Sequence, residues 1–179
     1  MARITSINAR IIHNSRGSKT IEVDVISDNQ YLGRTSAPSG ASVGKYEAVS
    51  FPENDPEQSL RILNENSKKF LEFESSDLKS IDETLKSIDK TSDYSKIGGA
   101  LAYAVTIASM ESASKASGKQ LFELISEQNE YRFPIPIGNI LGGGAHAGPG
   151  TPDIQEILIS APGAKTIRDA IETLSLIHI

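Results

Sequence analysis

The sequence predicts an α+β domain, a three-stranded antiparallel meander with several helices, followed by the opening of a second unit. Three observations carry this. Thr20-Ile21-Glu22-Val23-Asp24-Val25-Ile26 alternates with a period of two, the mark of a half-buried strand. Leu78, Ile81, Leu85 and Ile88 recur at spacings of three and four, which makes one apolar helical stripe. At Glu130-Tyr131-Arg132-Phe133-Pro134-Ile135-Pro136 the composition shifts, and two prolines around an isoleucine enforce extended chain at a domain boundary.

The elements follow in order. Ile4 to about Ile12 reads as the first strand and Thr20 to Ile26 as the second, with Ile21, Val23 and Val25 on one face. Glu22 and Asp24 lie on the other face, solvated or at an interface. Ser27-Asp28-Asn29 is a turn, and Gln30 to about Ala37 a third strand. Asp55-Pro56 reads as an N-cap with proline at the first helical position, leading into Leu60, Leu63, Phe70 and Leu71. Ile97 to about Ala116 is a helix of small residues that can approach a sheet closely, ended by Gly118. Leu121 to Ile125 adds a short helix. Beyond the prolines, Ile137 to Leu141 and Ile154 to Ile159 read as strands and Thr166 to about Leu174 as a helix, with Thr166 and Asp169 in capping-box spacing. Two strands and one helix cannot bury a core of their own.

Composition narrows the function. At 179 residues, 38% hydrophobic and 23% charged, the chain has room for one domain, or one and part of another. A net charge of −5 without a basic face argues against nucleic acid as a partner. There is no cysteine, hence no disulfide framework and no thiolate metal site. The opening Met1-Ala2-Arg3-Ile4-Thr5-Ser6 has no apolar signal segment, and Ile97 to Met110 is too short to span a bilayer. The expected compartment is the cytoplasm, with no membrane partner.

Two glycine-rich segments carry the chemistry. Ser39-Gly40-Ala41-Ser42-Val43-Gly44-Lys45 has the flavour of a phosphate loop, but Gly40 to Gly44 is one residue too short and Tyr46 stands where a hydroxyl residue is needed. Alone it reads as a surface loop; as an active-site loop, Ser42 offers oxygen to a hard cation. Asn139-Ile140-Leu141-Gly142-Gly143-Gly144-Ala145-His146-Ala147-Gly148 is either a hinge with a solvent-facing histidine or a loop that brings backbone and imidazole to a ligand. Gln155-Glu156 opens an apolar run; a carboxylate at the end of a buried strand is costly unless it has a task. In a (β/α)8 barrel the chemistry sits at the C-terminal strand ends, and Glu156 lies at the start of its run, so barrel logic alone does not place it. Ser15-Arg16-Gly17 reads as a tight turn carrying a cation.

Taken together, these segments resemble enolases. Asn14-Ser15-Arg16-Gly17 before the second strand, Pro38 to Gly44 with Glu47-Ala48, Ser95-Lys96-Ile97-Gly98-Gly99-Ala100, Pro134-Ile135-Pro136, the Gly-Gly-Gly-Ala-His-Ala-Gly loop, Gln155-Glu156 and Pro162-Gly163-Ala164 match in order over about residues 3 to 173. Ser18-Lys19 departs from the common Asn-Pro, and the Pro-Gly-Thr-Pro stretch after His146 looks archaeal.

The resemblance implies a capping domain at 1–130, the first strands and helix of a truncated enolase-type (β/α)8 barrel at 131–173, and a remainder at 174–179. It implies magnesium-dependent, reversible dehydration of 2-phosphoglycerate to phosphoenolpyruvate in glycolysis, by a homodimer or larger homo-oligomer. Ser42 would ligate the second magnesium, and Ala41, His146, Gln155 and Glu156 would bind substrate. Glu156 and His146 would be catalytic, and Arg16 and Glu22 would lie at the dimer interface. The family's three metal carboxylates, lysine base, second acid glutamate and substrate arginine come from later strands, so the chain as written is expected to be inactive.

Leu174-Ser175-Leu176-Ile177-His178-Ile179 is what CTGTCTCTTATACACATC encodes, a string matching a transposase adapter used in sequencing libraries. Residues 174–179 are therefore expected to be adapter translation, with the reading frame truncated. The alternative is a naturally short, non-catalytic enolase-like binding module. A superfamily relative acting on another acid is disfavoured, because the wider superfamily lacks both glycine-rich loops.

Overall fold

The computed structural model describes residues 2–40, 43–126, 128, 130–144 and 147–176. The chain divides into two compact units, Met1–Glu127 and Gln128–Ile179.

In the first unit, β1 (Ile4–His13), β2 (Lys19–Ser27) and β3 (Tyr31–Ser36) form an antiparallel sheet in the order β1-β2-β3. Ala9 faces Val23, and Val23 faces Thr35. The meander and the sidedness of β2 are as the alternation predicts: Ile21, Val23 and Val25 are fully buried. A three-residue turn, Asp28-Asn29-Gln30, joins β2 to β3, with Asp28 and Asn29 at positive φ. Short polar side chains tolerate that conformation better than most.

The helices are α1 (Pro56–Asn66), α2 (Leu78–Asp89), α3 (Gly99–Ser117) and α4 (Leu121–Ile125). Asp55 caps α1 as expected, its side chain accepting from the Glu57 amide at 3.0 Å. The core gathers Ile4, Ile7, Leu63, Phe70, Ile81, Leu85, Leu101 and Val105 around the buried face of β2. Each such side chain contributes about 1.5–3 kcal/mol relative to exposure.

Helix α3 lies against β2 and β3, and it comes very close. A Cβ on Gly33 of β3 would collide with the Ala108 carbonyl and stand 2.5 Å from the Ser112 amide nitrogen. The facing side chains are correspondingly small, Ala104, Ala108 and Ser112, all buried. Ser112 Oγ meets Ser27 Oγ at 2.7 Å and the Tyr31 carbonyl at 2.8 Å. Glu111 accepts from the Arg34 amide and Lys115 donates to the Leu32 carbonyl, so the helix also satisfies polar groups along the outer edge of β3.

Helix α3 starts two residues later than the small-residue pattern suggests, and Asp89 is the reason. Its buried carboxylate accepts from the amides of Lys96 at 3.1 Å and Ile97 at 2.8 Å, and from the amide and hydroxyl of Thr91. Those bonds hold Lys96 and Ile97 outside the helix, and Gly98 turns in at positive φ. Burial alone would push the Asp89 carboxyl up; these donors outweigh it and hold it below the ordinary range.

On the open face of the sheet, Asp24 binds Arg34 through Nε at 2.6 Å and Nη2 at 2.8 Å, and Arg10 at 2.9 Å. Glu22 pairs with the same two arginines. The Arg34 fork is the main cause that lowers the Asp24 carboxyl to about 2.

In the second unit, β4 (Ile137–Gly142) and β5 (Glu156–Ser160) form an antiparallel ribbon, followed by α5 (Ile167–Leu176). The ribbon contains a bulge at Ile140, since Asn139 pairs with Leu158 and Leu141 with Ile157. Asp169 N donates to Thr166 Oγ1 at 3.1 Å, which supplies one half of the expected capping box. Ile137, Leu158, Ile171 and Leu176 are more than half exposed, in keeping with a unit too small to bury its own apolar faces.

Two outcomes are expected. Gly33→Ala should destabilise the first unit by about 3 kcal/mol or more, because the added methyl meets backbone that cannot yield; urea unfolding followed by circular dichroism reads this. Asp24→Asn should cost about 1–2 kcal/mol near neutral pH. The Asp24 carboxyl is lowered in the folded state, so its stabilisation is present above the unfolded value near 4 and disappears as pH falls toward 2. The stability gap between parent and variant should therefore close over that interval.

Candidate active-site segments

The loop after β3 is held from below by the β1–β2 hairpin. The Ala37 amide donates to the Ile21 carbonyl at 3.1 Å, and Thr20 Oγ1 donates to the Ala37 carbonyl at 2.9 Å. Next, Asn14 Nδ2 donates to Ser39 Oγ at 2.8 Å, and Arg16 Nη1 reaches the Gly40 carbonyl at 3.4 Å. Asn14 is itself fixed, because its Oδ1 accepts from the Arg16 and Ser18 amides at 2.9 and 3.0 Å. On the far side, Glu47 closes a small turn by accepting from the Gly44 amide at 2.9 Å. Ala41 and Ser42, between these anchors, lie outside the described residues.

Arg16 thus makes a contact within its own chain, to the loop, in addition to the tight turn read from the sequence. Glu22 sits in the Arg10–Arg34 cluster on the open face. Neither arginine was singled out by sequence reading. The signal was present, since Arg10 pairs with Glu22 and Arg34 with Asp24 across the two ladders.

In the second unit the glycine-rich loop and the Gln155-Glu156 pair come to one rim. The pairing of β4 with β5 is antiparallel, so the start of β5 lies beside the end of β4: Gly142 is the register partner of Glu156. This resolves the placement that parallel barrel logic left open. The Gly143 amide donates to the Gln155 carbonyl and the Gly144 amide to the Pro152 carbonyl, both at 2.8 Å. A Cβ at Gly143 would collide with the Ile154 carbonyl and stand 2.5 Å from that of Pro152, so only glycine fits there. Thr151 Oγ1 ties the return of the loop to the Gly148 carbonyl at 2.8 Å. His146 lies outside the described residues.

Register also settles which way Glu156 looks. Residues paired across a ladder point to the same side, so Glu156 shares a face with Ile137, Asn139 and Leu158. The other face carries Gly138, and the space a Cβ would take there is 3.5 Å from the Leu174 side chain of α5. Glu156 therefore stands on the face away from the helix. Across from it is Gly142, with no side chain, so the carboxylate is exposed. Gln155, one residue earlier, is exposed as well.

Among the described residues, no three His, Asp or Glu side chains converge closely enough to hold a metal ion. No helix among them is long and apolar enough to cross a membrane.

Two family models match this chain: the enolase N-terminal domain over residues 4–125 and the enolase C-terminal TIM barrel domain over residues 130–178. The enolase of Methanosphaera stadtmanae is 39% identical over 176 residues, covering 98% of this chain and 42% of that protein. The enolase of Picrophilus torridus is 40% identical over 176 residues, with 98% and 43% covered. The enolase of Halorubrum lacusprofundi is 37% identical over 180 residues, with 99% and 44% covered. The chain thus spans less than half the length of these relatives. With both domain models matched in order and such relatives aligned along nearly its whole length, the chain belongs to the enolase family.

Proposed function

We propose that this chain supplies the capping domain and the first barrel strands of a phosphopyruvate hydratase, a cytoplasmic lyase that dehydrates 2-phosphoglycerate to phosphoenolpyruvate. The observation that carries the reading is the orientation of Glu156: it stands on the strand face away from α5, beside a position without a side chain, at the rim where the glycine-rich loop begins. In a barrel the helices form the outer ring, so the face away from them looks inward.

The reaction removes a weakly acidic proton from C2 and expels hydroxide from C3. Expulsion needs an acid, because hydroxide is a poor leaving group; a protonated carboxyl at the C3 oxygen lets it depart as water. Glu156 takes that role in this reading, Gln155 binds substrate from the same rim, and His146 contacts the substrate and exchanges protons near it. Ala41 contributes to substrate binding and Ser42 to the second of two magnesium ions, which stabilise negative charge on the substrate carboxylate when bound. The described residues do not by themselves build a magnesium site. The base that takes the C2 proton has no counterpart in this chain by resemblance, so the 179 residues alone are expected to be inactive. Arg16 and Glu22 are assigned to the interface of a homo-oligomer.

The test is an extended protein, this chain joined to a barrel of family length, assayed for magnesium-dependent formation of phosphoenolpyruvate. The parent should turn over, and Glu156→Gln should lower kcat by about 10²–10⁴ with a smaller effect on KM. An unchanged kcat in the variant would remove Glu156 from the chemistry.

A further inference from the structure

We infer that Asn14 is a positioning residue for the loop that follows β3, and that it acts through Ser39. The inference rests on the enolase reading only for the importance of that loop; the contact itself is independent of it. Three successive pins run from the β1–β2 hairpin into the loop stem: Thr20 to the Ala37 carbonyl, Asn14 to the Ser39 hydroxyl, and Arg16 to the Gly40 carbonyl. The first is buried and belongs to the core. The third is long, at 3.4 Å, from an exposed guanidinium, and holds little. The middle one is short, at 2.8 Å, and its donor cannot swing away, because the Asn14 Oδ1 already accepts two amides of its own turn.

The same amide group therefore does two jobs. Its oxygen shapes the tight turn that returns β1 into β2, and its nitrogen fixes where the loop leaves the sheet. Across 25 residues of sequence, a hairpin turn sets the starting point of the segment two residues before Ala41 and three before Ser42. A glycine follows Ser39 and adds no backbone restraint of its own on the loop side of the pin.

Trypsin reads the pin directly in the 179-residue chain, with no metal, substrate or turnover required. The Lys45–Tyr46 bond lies in the loop and Lys119–Gln120 serves as an internal control. Ser39→Ala removes the pin but leaves the Asn14 turn. It should speed cleavage after Lys45 by about fivefold, the factor an ordinary net hydrogen bond is worth, with cleavage after Lys119 unchanged and the melting temperature lowered by no more than the few degrees one such bond is worth. Asn14→Ala should speed it at least as much. Adding Ser39→Ala to Asn14→Ala should bring no further change, since both remove one interaction. Asn14→Asp keeps an acceptor for the turn and for the Ser39 hydroxyl, and should cleave at the parent rate. Parent-like cleavage in Ser39→Ala, or additive effects in the double variant, would overturn the inference. Either result would leave the enolase reading untouched, because that reading stands on the turnover of the extended protein.

Discussion

The first unit depends on a distance: how near α3 comes to the sheet. Gly33 removes the one side chain that would hold the Ala108 carbonyl off, and alanines and serines along the helix keep the approach open. Small residues bury little apolar area each, so on the side toward Gly33 this helix gains by contact density, while Leu101 and Val105 supply its larger buried side chains. Close approach has a second effect. It brings Glu111, Ser112 and Lys115 within reach of the Arg34 amide and the Tyr31 and Leu32 carbonyls, and a free sheet edge becomes part of the interior scaffold. The polar groups on the helix are thus not decoration on an apolar stripe; they complete the sheet.

Charge in this unit is placed where it does structural work at low cost. Asp89 is buried, but the donors it meets are backbone amides and a hydroxyl, so it gathers the α2–α3 connection instead of pairing with a cation. The Asp24 and Glu22 carboxylates meet arginines that remain half exposed, which avoids the desolvation of a buried ion pair. One network tightens a loop, the other a sheet face.

Much of this was legible in the sequence because it follows from periodicity and from residues with narrow conformational meaning. The alternation of β2 gave the buried face, Asp55-Pro56 marked the start of α1, and Gly118 the end of α3. What was not legible involved partners distant in sequence. Nothing local to Ile97 shows that its amide is spoken for by Asp89, and so the helix start was read two residues early. Helix α5 runs on to Leu176 where its apolar pattern suggested about Leu174. Glu156 stayed unplaced for a topological reason: barrel logic looks to the C-terminal ends of strands, and the antiparallel ribbon brings the start of one strand to the end of the other. The proposed roles of Ala41, Ser42 and His146 came from motif alone and fall outside the described residues.

The bulge at Ile140 bears on how this segment tolerates insertion and deletion. Side chains alternate along a strand, so one residue more or fewer exchanges inside for outside from that point on. With Ile140 looped out, Gly142 falls opposite Glu156. Were Ile140 paired into the ladder, Leu141 would take the place of Gly142, an isobutyl group beside the carboxylate in place of open space. Losing the residue at 140 leaves Gly142 opposite Glu156, whereas straightening the bulge with Ile140 in place shifts every pair on the rim side by one. What faces the carboxylate is set by the extra residue staying out of the pairing, not by the side chain it carries.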